Sequence, residues 1–225
     1  MPRASSVTVK SDGKDWGRDL WIFLHVISFA YPIDPSAAIQ NAASSLVNSL
    51  MTVLVCEPCR LHFRQLLQTS PPRLGTRAEF SHWLNQAHNS VNKRLGKPEV
   101  SYAEAATKFA NMTPDVWGPH AWNAMHHITF AAPAVLNQSQ QQQYNAFFSS
   151  LQFLLPDKGS RDFYRLAIMK YKLSESLEGQ ESLSIWLIDI HNLCDMILFK
   201  PTKDYTAVRQ FYLTRAPRCG IMPRK

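Results

Sequence analysis

The feature that most constrains this chain is that it begins again halfway along. Trp117-Gly118-Pro119-His120-Ala121-Trp122 echoes Trp16-Gly17-Arg18-Asp19-Leu20-Trp21, and His126, Phe130 and Pro133 fall where His25, Phe29 and Pro32 stood. Further on, Trp186-Leu187-Ile188-Asp189-Ile190-His191-Asn192 echoes Trp83-Leu84-Asn85-Gln86-Ala87-His88-Asn89. Lys200-Pro201 and Tyr205 then repeat Lys97-Pro98 and Tyr102, always 100 to 103 residues later. Matching blocks in one order at a nearly constant offset mark an internal duplication. The 225 residues therefore divide into two units of about 100 residues, a common domain size. The expected division is a flexible N-terminus over 1–13, a first unit over 14–112, a second over 113–215 and a basic tail over 216–225.

Each unit reads as helical. β-branched runs are short, there are only 8 glycines, and 45 % of the residues are apolar, enough for a core. In the first unit helices are expected from Asp15 to Ala30, Pro35 to Leu54, from the Cys-x-x-Cys through Leu67, Arg77 to Leu95, and Ser101 to Ala110. Tyr31-Pro32 ends the first of these and Gly96 with Pro98 the fourth. Gly17, Trp21 and His25 recur at helical spacing and share a face. The fold class is all-α.

The charge is +7, but the cations are scattered, which suits a solvated basic surface better than a specific nucleic-acid site. No apolar run approaches the roughly 18 residues of a membrane span. The first ten residues also lack the apolar stretch of a signal peptide. The reading is a soluble, cytoplasmic protein that binds no membrane. Four cysteines are too few to staple a secreted fold of this length.

Two of those cysteines carry the chemistry. Cys56-Glu57-Pro58-Cys59 opens a helix, where free backbone N–H groups stabilise a thiolate and favour thiol exchange. Zinc is a rival through Cys56, Cys59 and His62, but no second Cys/His pair stands at zinc spacing in this unit. Haem attachment is disfavoured because Arg60 stands where histidine should follow, and a thioredoxin fold would need flanking strands. On spacing alone, redox exchange leads, with zinc and a structural pair left open. In the second unit, pairing Phe163 with Phe63 puts Pro156-Asp157-Lys158-Gly159 in place of the motif, Asp162 for His62 and Asp195 for Asn92. On the fourth helix His88, Asn92 and Leu95 share a face, with Asn89 and Val91 beside them, although each taken singly has a plainer explanation as core.

Taken together, Trp16-Gly17-x-x-x-Trp21-x-x-Leu24-His25, Tyr31-Pro32, Cys56-x-x-Cys59-x-x-His62-Phe63 and Trp83-Leu84-x-x-x-His88-Asn89-x-Val91-Asn92-x-x-Leu95-Gly96-Lys97-Pro98 are distinctive. Over residues 14 to 110 they resemble the Erv/ALR flavin-linked sulfhydryl oxidases, and residues 115 to 215 resemble a degenerate Erv repeat. The resemblance implies two tandem four-to-five-helix bundles, the second without redox cysteines. It implies FAD in the first, with Cys59 next to the flavin and Cys56 exchanging with dithiol protein substrates, and O2 as electron acceptor giving H2O2. FAD contacts carried over by position are Gly17, Arg18, Trp21, His25, Tyr31, His62, Phe63, His88, Asn89, Val91, Asn92, Leu95 and Lys97, with Trp83 near the ring system and Tyr102 near the adenine. No metal is implied. An active module beside a degenerate one, without a thioredoxin domain, resembles oxidases of large DNA viruses. The second unit is expected to replace the homodimer partner of shorter relatives as an intramolecular pseudo-dimer, with a further homodimer left open. Cys194 reads as a buried free thiol, and Cys219 as inert or intermolecular.

Overall fold

The computed structural model describes residues 16–214. The expectations for residues 1–13, Asp15, Cys219 and the 216–225 tail lie outside the described residues. The first unit comprises α1 (Trp16–Ala30), α2 (Ala37–Val53), α3 (Glu57–Thr69), α4 (Arg77–Arg94) and α5 (Tyr102–Phe109). The second comprises α6 (Pro114–Phe130), α7 (Gln138–Leu154), α8 (Lys158–Lys170), a short 3-10 turn (Leu173–Glu175), α9 (Gln180–Ile197) and α10 (Tyr205–Thr214). There is no strand among the described residues, and the expected helix ends in the first unit fall within a few residues of the observed ones.

Local chemistry explains where the helices start and stop. The Ser36 and Thr76 hydroxyls accept from the backbone N–H groups of Ile39 and Glu79, and Ser101 forms a reciprocal capping box with Glu104. Gly96 closes α4 at a φ of 66°, in the left-handed region where a side chain is strained.

α1 is buried from Leu20 to Phe29 on nearly every side, as expected of a helix enclosed by neighbours. It packs on α4 and α5 within its unit and on α6 across the unit boundary. Likewise α2 packs on α3 and on α7, while α6 packs on α9 and α7 on α8. One apolar core runs through both units.

The duplication extends to individual hydrogen bonds. Trp83 Nε1 donates to the Ser70 carbonyl and Trp186 Nε1 to that of Tyr171. Arg60 donates to the Leu54 carbonyl and Arg161 to that of Leu155, both at 2.6 Å. Asn89 clamps the backbone of Val100 with both ends of its amide, as Asn192 clamps Lys203. These bonds correct one register drawn from the sequence. The offset between α3 and α8 is 101 residues, so Cys56 pairs with Asp157, Cys59 with Ser160, His62 with Phe163 and Phe63 with Tyr164. The aromatic echo of Phe63 in Phe163 was misleading, because the buried wedge of α8 is Tyr164, whose hydroxyl donates to the Phe148 carbonyl.

Candidate active site

Cys56 is the N-cap of α3 and Cys59 its third residue, and the two form a disulfide with Cα atoms 5.3 Å apart. Pro58 in the first turn lacks only an N–H that would have no helical partner. Behind the pair, Arg60 ties the helix start to the end of α2 through Leu54, and its ion pair with Glu57 holds that exposed carboxylate below its usual range. Cys56 is buried, only 2 % exposed, whereas Cys59 is half-buried.

The disulfide forms part of the wall of a cavity of about 600 Å³, within the size range of ligand sites. Of the residues expected at the site, Gly17, Arg18, Trp21, Cys56, Cys59, His62, Phe63, His88, Val91, Asn92, Leu95 and Lys97 all line it. They come from α1, from the α3 start and from the last turns of α4, so three segments distant in sequence converge.

Five expected residues do not line it. His25 stands one layer behind, with its Nε2 2.9 Å from His88 Nδ1 and its ring stacked on Phe109. Asn89 spends its amide on Val100. The Tyr31 hydroxyl donates to the Leu74 carbonyl, and its burial raises its pKa to about 12. Trp83 is bonded to Ser70 and packs on Phe80. Tyr102 shares a hydrogen bond with Ser81 and stacks on His82 at 3.5 Å. His25, Asn89, Trp83 and Tyr102 have counterparts in the second unit at His126, Asn192, Trp186 and Tyr205, whereas Ala132 stands in the place of Tyr31.

The structure adds cavity residues that the sequence reading passed over: Trp16, Arg94, Lys108 and Phe109 among them. Lys108 and Phe109 ride on α5, which only tertiary packing brings over the cavity. The recurrence of an aromatic at Tyr212, in the place of Phe109, was the available signal.

Burial favours the neutral form of three histidines at or behind the cavity. Burial, then Lys97 and Lys108, lowers the His88 pKa to about 4, and burial with the neighbouring His88 lowers that of His25 to about 3. His62 is lowered by burial and by Arg94. His25 Nδ1 is buried without a partner, and an orphaned lone pair is better tolerated than an orphaned N–H. That assigns the proton to His25 Nε2, which donates to His88 Nδ1 and leaves His88 Nε2–H as a donor beside the cavity. Trp21 stacks on the His88 ring at 4.2 Å and fixes its plane.

The cavity suits a flat, anionic cofactor. Aromatic rings of Trp16, Trp21, Phe63 and Phe109 and the apolar Leu20, Leu24, Leu50 and Leu54 form one kind of wall. Arg18, Arg94, Lys97 and Lys108 supply cationic groups, and Arg94 Nε is buried with no hydrogen-bond partner. A buried, unsatisfied guanidinium donor is costly unless an acceptor joins it.

Fold and site define an all-α protein of duplicated bundles with a Cys-x-x-Cys disulfide in the wall of a large cavity. The sequence model of the Erv1 / Alr family matches residues 18–111 and again 119–213. The chain belongs to that family, in two copies. It is 37 % identical over 97 residues to the FAD-linked sulfhydryl oxidase ERV1 of Arabidopsis thaliana, covering 43 % of this chain and 51 % of that protein. It is 30 % identical over 89 residues to the FAD-linked sulfhydryl oxidase of African swine fever virus, covering 40 % of this chain and 75 % of the viral protein. The crystal structure of the FAD binding domain of Erv1 from Saccharomyces cerevisiae is 26 % identical with a TM-score of 0.42, covering 43 % of this chain and 92 % of that one. The chain spans about half the length of its plant and yeast relatives, between 42 % and 51 %.

Proposed function

We propose that the chain is an FAD-dependent thiol oxidase that forms disulfides in dithiol protein substrates, with one active centre in the first unit. The observation that carries this is the Cys56–Cys59 disulfide in the wall of a cavity that also holds a neutral His88 and four cationic side chains. The names of the plant and viral relatives support it.

Arg18, Arg94, Lys97 and Lys108 would hold the diphosphate, and Trp21, Phe63 and His88 would flank the ring system. When bound, FAD would supply a two-electron acceptor for the cysteine pair and a route for those electrons to O2, giving H2O2. The protein's own part is thiol exchange. A substrate thiolate attacks Cys56 Sγ, the Cys56–Cys59 bond breaks, and Cys59 leaves as a thiolate. A second substrate thiolate then attacks the substrate sulfur of the mixed disulfide and releases Cys56. The substrate gains a disulfide, and the enzyme gains two electrons and the two substrate protons. The N-terminus of α3 stabilises the leaving Cys59 thiolate through its backbone N–H groups and dipole. Because Cys56 is buried, the attack requires the Leu54–Pro58 segment to open.

We take the units as 14–112 and 113–215, with the second standing where a separate subunit would as an intramolecular pseudo-dimer. The presence of a viral relative supports a virus-encoded enzyme acting in the cytoplasm, where thiols are otherwise kept reduced. Among the described residues no helix is long and apolar enough to cross a membrane. The test is the visible spectrum of the purified full chain with oxygen uptake under dithiothreitol. A flavin spectrum and uptake that Cys59→Ala abolishes are expected. A colourless protein that consumes no oxygen would favour a helical adaptor or a zinc module instead.

A further inference from the structure

We infer that the α1–α2 face of the first unit is shaped to accept the second unit of its own chain and to reject a second copy of itself. This pairing specificity rests on the pseudo-dimer reading above and is independent of the oxidase chemistry.

Asp19 on α1 is buried, 5 % exposed. His120 Nδ1 donates to its Oδ1 at 2.7 Å, and the Asn123 amide donates to Oδ2. Tyr212 on α10 donates in turn to Asn123 Oδ1 at 2.9 Å. Asp19 and His120 are equivalent positions of the duplication, since Trp16-Gly17-Arg18-Asp19 aligns with Trp117-Gly118-Pro119-His120. Each meets its own equivalent because α1 crosses α6. Two first units paired in this way would bring Asp19 against Asp19, two carboxylates in a buried site without the donors of His120 and Asn123. Like charges so placed are strongly unfavourable.

Shape repeats the message with opposite sign on the two helix pairs. On α1 the buried Leu20 and Phe23 are large where α6 has Ala121 and Ala124, and the Phe23 ring stacks on Trp117 across the boundary at 6.3 Å. On α2 the buried Ala43 and Val47 are small where α7 has Tyr144 and Phe148. The two units therefore present side chains of different size at equivalent positions of the paired helices, so a self-pair of first units would not reproduce this packing. A complementary attraction combined with a built-in fault against the alternative partner is how specificity arises.

The test uses the full chain, with melting midpoint and sedimentation as readouts. His120→Asp should lower the midpoint by on the order of 10 °C by opposing two buried carboxylates. The swap Asp19→His with His120→Asp should recover at least half of that loss. Independently, Ala124→Phe should lower the midpoint, and Phe23→Ala in the same chain should restore part of it. If His120→Asp melts like the parent, or neither compensated pair improves on its single variant, the specificity is overturned. If instead the parent sediments as a dimer that His120→Asp dissociates, the face joins two chains and the pseudo-dimer reading itself fails. None of these outcomes bears on oxygen uptake, so the oxidase reading is tested separately.

Discussion

The N-termini of α3 and α8 occupy equivalent places and are closed by different chemistry. In the first unit the N-cap and third residues are Cys56 and Cys59, joined by a disulfide. In the second they are Asp157 and Ser160, where Asp157 accepts from both the Ser160 backbone N–H and its hydroxyl, at 2.8 and 2.7 Å. Asp157 caps its helix by hydrogen bonds whereas Cys56 makes no such bond and is tied to the first turn by the disulfide, and only the cysteine pair can exchange electrons. The site behind each helix differs in the same manner. Both units keep a histidine pair 2.9 Å apart and a tryptophan stacked on its outer ring. In the second, Asn92 is replaced by Asp195, whose carboxylate is bonded by Lys203. Tyr212 stacks on Phe130 and lies tilted against His126, where Phe109 in the first unit stacks on His25. A scaffold that survives the loss of its thiols is held at least in part for packing, so recurrence in the second unit alone does not mark a residue for chemistry, whereas the loss of Cys56 and Cys59 does.

The comparison breaks most sharply at the cysteines. Cys59→Ala should cut oxygen uptake by roughly three orders of magnitude or more, since the transfer has no other route. Ser160→Ala in the second unit should leave uptake within about twofold and cost on the order of 1 kcal/mol of stability as a lost cap contact. Equal losses in the two variants would mean that both units act.

Next in size is the ion pair of the second site. Lys203→Ala leaves the Asp195 carboxylate buried without its cation and should destabilise the chain by about 3 kcal/mol in chemical denaturation. Asp195→Asn with Lys203→Val rebuilds the first unit's pair of residues and should recover most of that. Flavin stoichiometry on the double variant sharpens the point: it should stay at one per chain, because Pro119, Ile197 and Phe211 still stand in the places of the cations Arg18, Arg94 and Lys108.

Acid should unfold both units together. His25 and His88 have pKa values lowered to about 3 and 4, His126 and His127 to about 3 and 4, and His191 is lowered as well, all chiefly by burial. In the unfolded chain these groups protonate near their usual value of about 6.5. The unfolded state therefore binds more protons below that pH, and stability falls as pH drops from about 6.5 towards 4, by up to about 1.4 kcal/mol per pH unit for each histidine. Above about pH 7.5 their contribution is constant. Urea midpoints across that range check the slope.

The smallest effect expected is at the ends of α4 and α9. Gly96 and Phe199 share a left-handed backbone, with φ of 66° and 54°. Phe199 is almost wholly exposed there, so Phe199→Gly should stabilise the chain by about 1 kcal/mol and Gly96→Ala should destabilise it by a similar amount.

Helix faces were legible in the sequence because they follow from local spacing. His88, Asn92 and Leu95 on one stripe of α4, and Gly17 and Trp21 on one stripe of α1, do meet at the cavity. Asn89 and Tyr31 share the same motifs yet turn to Val100 and Leu74, since a motif fixes which residues travel together and not which of them face the ligand space. Arg94 and Lys108 carried no pattern of their own.

By itself the sequence determined the duplication, the all-α class, the position of Cys56 and Cys59 at a helix start and the loss of both from the second unit. These rest on short-range rules of periodicity, capping and residue identity. Tertiary structure alone decided that α5 covers the cavity, that Cys56 lies buried, and that Asp19 meets His120. Each of these depends on which helix faces pack together, and that is set by the summed burial of side chains far apart in the chain rather than by any local pattern.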